Sequence, residues 1–221
     1  MRAVRTMFDT IAPRYDLVNR IMTFGLDRLW RRLAVNALSV APGSLVLDLA
    51  CGTGDLCRDL EHAGIRAIGA DSSYGMLAHS RTASPLMQGD GLSLPIRDGY
   101  LDGAVSGFAL RNFVALEPVF VELSRVLRPG GRIALLDVSI PSNALLRGTH
   151  GFYFNKVVPQ VGALLSDRAA YGYLPRSVAY LPPGERIVAM LADAGFGAIH
   201  HRSLSGGITQ LITATRRVIP R

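Results

Sequence analysis

Cysteine and lysine are almost missing from this chain. Among its 221 residues two are cysteine, Cys51 and Cys57, and Lys156 is the one lysine. Two cysteines six positions apart, with no histidine at ligand spacing, give neither a disulfide framework nor a zinc site. No metal is therefore expected, and a reducing, cytoplasmic compartment fits. No apolar run reaches the roughly 18 to 20 residues that span a bilayer, and the chain does not open on the continuous apolar region of a secretory leader. Charge is sparse as well, at 19%, but lopsided: 24 Lys+Arg against 17 Asp+Glu give a net +7. The arginines run from Arg2 to Arg221 without a cluster, which reads as a solvated surface and not as a nucleic-acid footprint.

What is present is an alternation of patterns. Tyr15, Val18, Met22, Leu26, Leu29, Trp30, Leu33, Ala34, Ala37 and Leu38 recur at helical spacing until Ala41-Pro42-Gly43 stops them. Beyond that point short apolar runs at 45–50, 67–70, 86–88, 101–108 and 131–139 predict strands. Helical stretches at 55–63, 73–81 and 115–127 separate them. Strands divided by helices imply βαβ crossovers, hence a doubly wound, Rossmann-like α/β fold with a mostly parallel sheet and helices on both faces. A helix at 185–194 and two runs around Ser205-Gly206-Gly207 predict a closing antiparallel hairpin. The organisation expected is one domain over 1–221. Its parts are a helical cap (1–41), a cofactor-binding core (42–139), an aromatic and proline-rich lid insertion (140–183), and a C-terminal helix with the hairpin (184–221).

The stretch Leu45 to Asp55, LVLDLACGTGD, is a strand, a glycine-rich turn and a helix start, with Asp71 closing the next strand. Gly52 and Gly54 let the backbone turn tightly against a ligand, so a nucleotide-type cofactor site is expected here. Its charge selects the cofactor. A dinucleotide places its pyrophosphate on the helix N-terminus, where Asp48 and Asp55 would repel it, and Cys57 stands at the third glycine position. S-adenosylmethionine has no phosphate and carries a sulfonium and an ammonium that carboxylates attract. Asp71 is placed for the ribose hydroxyls, or alternatively to cap the following helix. Asp90, in QGDG, is placed with Gly91 for the adenine edge, or forms an Asp-Gly turn.

These residues resemble the ubiquinone and menaquinone C-methyltransferases, class I S-adenosylmethionine-dependent enzymes that methylate the ring of a prenylated quinol. The resemblance runs through residues 7–32, LDLACGTGD (47–55), GADSSYGML (69–77), LRNF (110–113), RVLRPGGRIALLDVS (125–139), YGYLPRSV (171–178) and LSGGITQL (204–211). It implies cofactor contacts at Thr53, Asp71, Asp90, Gly91 and Gly107, and a quinol pocket enclosed by the N-terminal helices and the 140–180 insertion. Gly107, Ala109 and Asp137 depart from the family's pattern on the acceptor side of the sheet.

Methyl transfer to a ring carbon needs an electron-rich ring held against the methyl with water excluded. Arg111, just past the fourth strand, would stabilise a developing phenolate or orient a water; alternatively it pairs with a carboxylate and holds the loop. Asn112 is a second candidate, and Asp137, at the end of the fifth strand, a weaker base. Tyr15 and Tyr171 are candidate head-group partners, and His150, His200 and His201 are assigned to surface or strand positions. The acceptor expected is a prenyl quinol, most simply demethylmenaquinol. A phenolic or polyketide metabolite and a non-catalytic S-adenosylmethionine-binding protein are the alternatives. No nucleic-acid partner is expected, since Phe113-Val114 follows Asn112 where a base methylase carries Pro-Pro-aromatic. Residues 150–166 read as a lid packed on the core or as a membrane-facing wedge. A weak peripheral membrane contact and a homodimer stay open.

Overall fold

The computed structural model describes residues 2–141 and 180–218, together with 143, 148, 151, 153, 160, 177 and 178. Most of the expected lid, including His150, the 154–165 apolar pattern, Tyr171 and Tyr173, therefore lies outside the described residues. Helices α1 (Arg2–Ile11), α2 (Tyr15–Met22) and α3 (Leu26–Leu38) come first. The core follows as β1 (Leu45–Leu49), α4 (Asp55–His62), β2 (Arg66–Asp71), α5 (Tyr74–Ala78), β3 (Leu86–Gln88), β4 (Leu101–Gly107), α6 (Glu117–Val126) and β5 (Leu127–Val138). Helix α7 (Gly184–Asp193) and strands β6 (Phe196–Leu204) and β7 (Thr209–Arg216) complete the chain. The seven strands form one sheet in the order β3-β2-β1-β4-β5-β7-β6. The first five are parallel, and β7 runs antiparallel to both β5 and β6.

Alternation along the strands sends side chains to two separate cores. Leu47, Leu49, Ile133, Leu135 and Ile212 meet Val119, Phe120 and Leu123 of α6 and Ile187 and Leu191 of α7. On the other face Val46, Val105, Ala134 and Leu136 meet Trp30, Ala34, Val35 and Leu38 of α3 and Leu56, Cys57 and Leu60 of α4. The spacing of those helical residues, i to i+4 with neighbours at i+1 or i+5, is the stripe that a helix laid on a sheet must present. Full burial of one large side chain of this kind contributes roughly 1.5–3 kcal/mol. A third, smaller cluster joins Ile11, Val18 and Met22 of the N-terminal segment to Met76 of α5, so the N-terminal helices sit beside the strand ends where a cofactor loop lies.

Helix α5 is shorter than the expected 73–81. Ser73 caps it by accepting from Met76 N–H at 3.1 Å. Past Ala78 the chain peels away because Ser80 Oγ donates to the Thr53 carbonyl at 3.1 Å, while the Thr82 and Ser84 hydroxyls bond Glu61. His200 and His201 lie exposed on β6, as expected.

Candidate active site

Two cavities meet at the carboxyl ends of the parallel strands, the place where ligands bind such sheets. The larger, about 560 Å³, is lined by Leu49, Ala50 and Gly52 after β1, Ala70, Asp71 and Ser72 after β2, and Asp90 and Gly91 after β3. Gly107, Phe108, Ala109, Asn112 and Phe113 after β4 complete the sheet side, and Val4, Arg5, Phe8 and Tyr15 come from the N-terminal helices. The smaller, about 300 Å³ and mostly apolar, is bounded by residues of α2, α3 and the loop after β4, by Val138 at the end of β5, by Ile208 and Thr209 at the start of β7, and by Tyr153 and Val178. Tyr15 and Phe108 line both.

The loop after β1 is held by two different carboxylates. Asp71 accepts from Gly52 N–H and from Ser73 N–H, each at 2.8 Å. Burial pushes the Asp71 carboxyl above its ordinary range against the pull of those backbone donors. Gly52, at φ +55°, adopts the left-handed turn this contact requires. Space is equally exact at Gly107, where a Cβ would lie 2.8 Å from Leu56 Cδ1, and at Gly91, where it would lie 3.0 Å from Phe113 Cε1.

Asp48 belongs to the other side of the loop and lines neither cavity, which corrects its assignment to the cofactor. It is 1% exposed, and its Oδ2 accepts from Cys57 N–H at 3.1 Å and from Cys57 Sγ at 3.3 Å. It thus occupies an orphan amide at the N-terminus of α4, the position that a pyrophosphate takes in a dinucleotide site. Asp55, in the first turn of α4, is likewise turned away, paired with Arg31 at 3.0 Å and with Arg58. The exclusion of a dinucleotide stands for this sharper reason. Of the carboxylates singled out in the sequence, Asp71 and Asp90 line the larger cavity.

Burial pushes the Asp48 carboxyl up to about 7, and its Oδ1 has no partner. A carboxyl raised in the folded state and ordinary in the unfolded one contributes stability that is present at acid pH and lost as pH rises through about 7. The span from 3.8 to about 7 corresponds to roughly 4 kcal/mol. The melting temperature should therefore fall between pH 5 and pH 8, and Asp48→Asn should flatten that slope; parallel curves for the two proteins would refute the assignment.

Thr53 and Gly54 also line neither cavity. Thr53 Oγ1 donates to Asp16 Oδ1 at 2.5 Å, fastening α2 to the loop. Gly54, at φ +80°, leaves room that Ser80 and Thr82 fill. Asp9, in α1, makes the matching attachment by accepting from Ser73 Oγ at 2.6 Å and Gly75 N–H at 2.8 Å. Neither Asp9 nor Asp16 was expected from the sequence. They lie on different helices, Asp9 in α1 and Asp16 in α2, so no single helical repeat signals them. Asp90 adopts the turn reading, with Oδ1 accepting from Leu92 N–H at 3.0 Å, while still lining the larger cavity.

The three catalytic candidates separate. Arg111 lines the smaller cavity, Asn112 the larger, and Asp137, fully buried, lines neither. Arg111 Nη1 donates to Asp137 Oδ1 at 2.5 Å and to the Phe108 carbonyl at 2.6 Å. Asp137 also accepts from Val138 N–H at 2.7 Å and, through Oδ2, from Arg111 N–H at 3.3 Å. The pairing alternative for Arg111 is therefore realised, and Asp137 is its partner instead of a base. Arg111 Nε has no partner among the described residues. Burial raises the Tyr15 phenol, partly offset by the positive charge of Arg111.

The carboxylate-lined cavity and the pre-empted α4 terminus fit S-adenosylmethionine, a cationic nucleoside without phosphate. The ubiE/COQ5 methyltransferase family matches residues 1–216. The chain belongs to that family. This methyltransferase is 42% identical over 224 residues to the Syntrophotalea carbinolica protein named ubiquinone/menaquinone biosynthesis C-methyltransferase UbiE, covering 96% of this chain and 93% of that one. It is 39% identical to the demethylmenaquinone methyltransferase of Mycolicibacterium paratuberculosis, covering 97% and 94%. Phosphoethanolamine N-methyltransferase 2 of Haemonchus contortus, solved with S-adenosyl-L-methionine, shares the fold at TM-score 0.63 and 14% identity, covering 85% of this chain and 52% of that one. The [4+2]-cyclase SpnF shares it at TM-score 0.66 and 17% identity, over 88% and 82%. A cyclase on the same fold places the burden of function on the site. Among the described residues no helix is long and apolar enough to cross a membrane, and no group of side chains could hold a metal ion.

Proposed function

We propose that this methyltransferase transfers a methyl group from S-adenosylmethionine to a ring carbon of a demethylated prenyl quinol, most simply demethylmenaquinol. The observation that carries this reading is the junction of the two cavities at Tyr15 and Phe108, with Arg111 facing the apolar one. The relatives' names point to the same substrate class.

In this reading Asp71 receives the ribose hydroxyls, Asp90 and Gly91 flank the base, and Gly52 and Gly107 allow close approach of the backbone. When bound, the cofactor supplies an electrophilic sulfonium methyl. The apolar walls of the smaller cavity, Met22, Phe24, Leu26, Trp30 and Ile208, exclude water and hold the ring flat. Arg111 sets a fixed positive charge beside the ring oxygen, which stabilises the phenolate character that makes the ring carbon nucleophilic. Asp137 holds that guanidinium in place, so the donor is already oriented before the ring arrives.

Incubation with labelled cofactor and a panel of demethylated quinols and simple phenols tests the reading. Label should appear on a ring carbon of the quinols. Label only on the simple phenols would move the acceptor class, and label in no product would leave a binding protein.

A further inference from the structure

Four buried side-chain polar atoms lack a hydrogen-bond partner among the described residues: Asp48 Oδ1, Arg111 Nε, Thr209 Oγ1 and Gln210 Oε1. Of these four residues, Arg111 and Thr209 line the smaller cavity. The cavity's other polar groups are already engaged. Tyr15 bonds the Asn19 side chain, Thr23 Oγ1 donates to Asp27 at 2.8 Å, and Trp30 Nε1 donates to Ser205 Oγ at 2.8 Å. Arg31 is tied to Asp27, Asp55 and Asp59, and Tyr153 OH donates to the Met22 carbonyl at 2.8 Å. A hydroxyl with 0% residue exposure and no partner is costly. A ligand oxygen would remove that cost.

We infer that Thr209 is a specificity-determining residue, whose hydroxyl binds the second oxygen of a two-oxygen aromatic ring while Arg111 Nε binds the first. Thr209 opens β7 and lies opposite Val138, at the carboxyl end of β5. Arg111 follows β4, on the other side of β5. The two residues thus reach the smaller cavity from opposite sides of β5, and a flat ring between the two side chains presents one oxygen to each. A ring with a single oxygen leaves the Thr209 hydroxyl dry and unpaired, which is the strongest form of rejection an apolar pocket has. This inference rests on the quinol reading above and narrows it to rings bearing two oxygens.

The test compares 1,4-dihydroxynaphthalene, kept reduced, with 1-naphthol, by Kd and KM on the wild type, Thr209→Val and Thr209→Ser. The wild type should prefer the two-oxygen ring by about tenfold. Thr209→Val should raise KM for that ring by about the same factor, leave KM for 1-naphthol alone and erase the preference, while Thr209→Ser should keep it. The melting temperature of Thr209→Val without ligand should be unchanged or higher, because the substitution removes an unsatisfied buried hydroxyl; this separates recognition from folding. A Thr209→Val protein that retains the wild-type preference overturns the role of Thr209 and leaves the quinol reading standing. A wild type that binds and methylates neither ring overturns the quinol reading and this inference together.

Discussion

Arg111→Ala is expected to lower turnover by about two to three orders of magnitude while changing cofactor affinity by less than about threefold. The asymmetry follows from location, since Arg111 lines the acceptor cavity and not the one assigned to S-adenosylmethionine. The same substitution strands a fully buried Asp137, and removing one partner of a buried pair costs about 3–5 kcal/mol. Activity alone would therefore confuse catalysis with folding. The double variant Arg111→Met with Asp137→Asn removes both charges and keeps an acceptor for the Val138 N–H. It should recover most of the lost stability in a denaturant titration and none of the turnover. Recovery of turnover along with stability would show that Arg111 is only a loop strut.

The second large effect is on the cofactor. Asp71→Asn should weaken S-adenosylmethionine binding by about 50-fold, because an amide turns a donor toward Gly52 N–H or Ser73 N–H and removes the charge facing the cofactor. Calorimetric titration across pH adds a signature. Burial raises the Asp71 carboxyl, so wild-type affinity should fall as acidification protonates it, beginning above the ordinary carboxylate range. Asp71→Asn should show no such fall. Equal pH dependence in both proteins would move the cofactor contact elsewhere.

The sheet, its crossovers and the closing hairpin were legible because short apolar runs alternate with stretches of helical periodicity. The site was legible in part. Asp71, Asp90, Gly91, Gly52 and Gly107, the residues expected at the cofactor, line the larger cavity. Asp48 was misassigned from its nearness to the glycines, although the strand's own alternation held the answer. Leu47 and Leu49 face one core and Val46 the other, so Asp48 shares the face of Val46 and points toward α4. The pairing of Arg111 with Asp137 spans 26 positions and exists only once β4 and β5 lie side by side. Thr209 gave no signal of its own. A threonine at the start of a strand is ordinary, and only the cavity shows its hydroxyl to be unanswered.

The two outer strands of the sheet bear on association between molecules. On one side β3 is only three residues long. On the other, β6 changes register between Gly197 and His200 and then exposes His200, His201 and Arg202 in succession. A short edge and a kinked, cationic one are poor templates for a strand from another molecule. Edge-to-edge continuation of one sheet into the next is therefore disfavoured, even where copies of this chain gather at high concentration, as on a crowded surface.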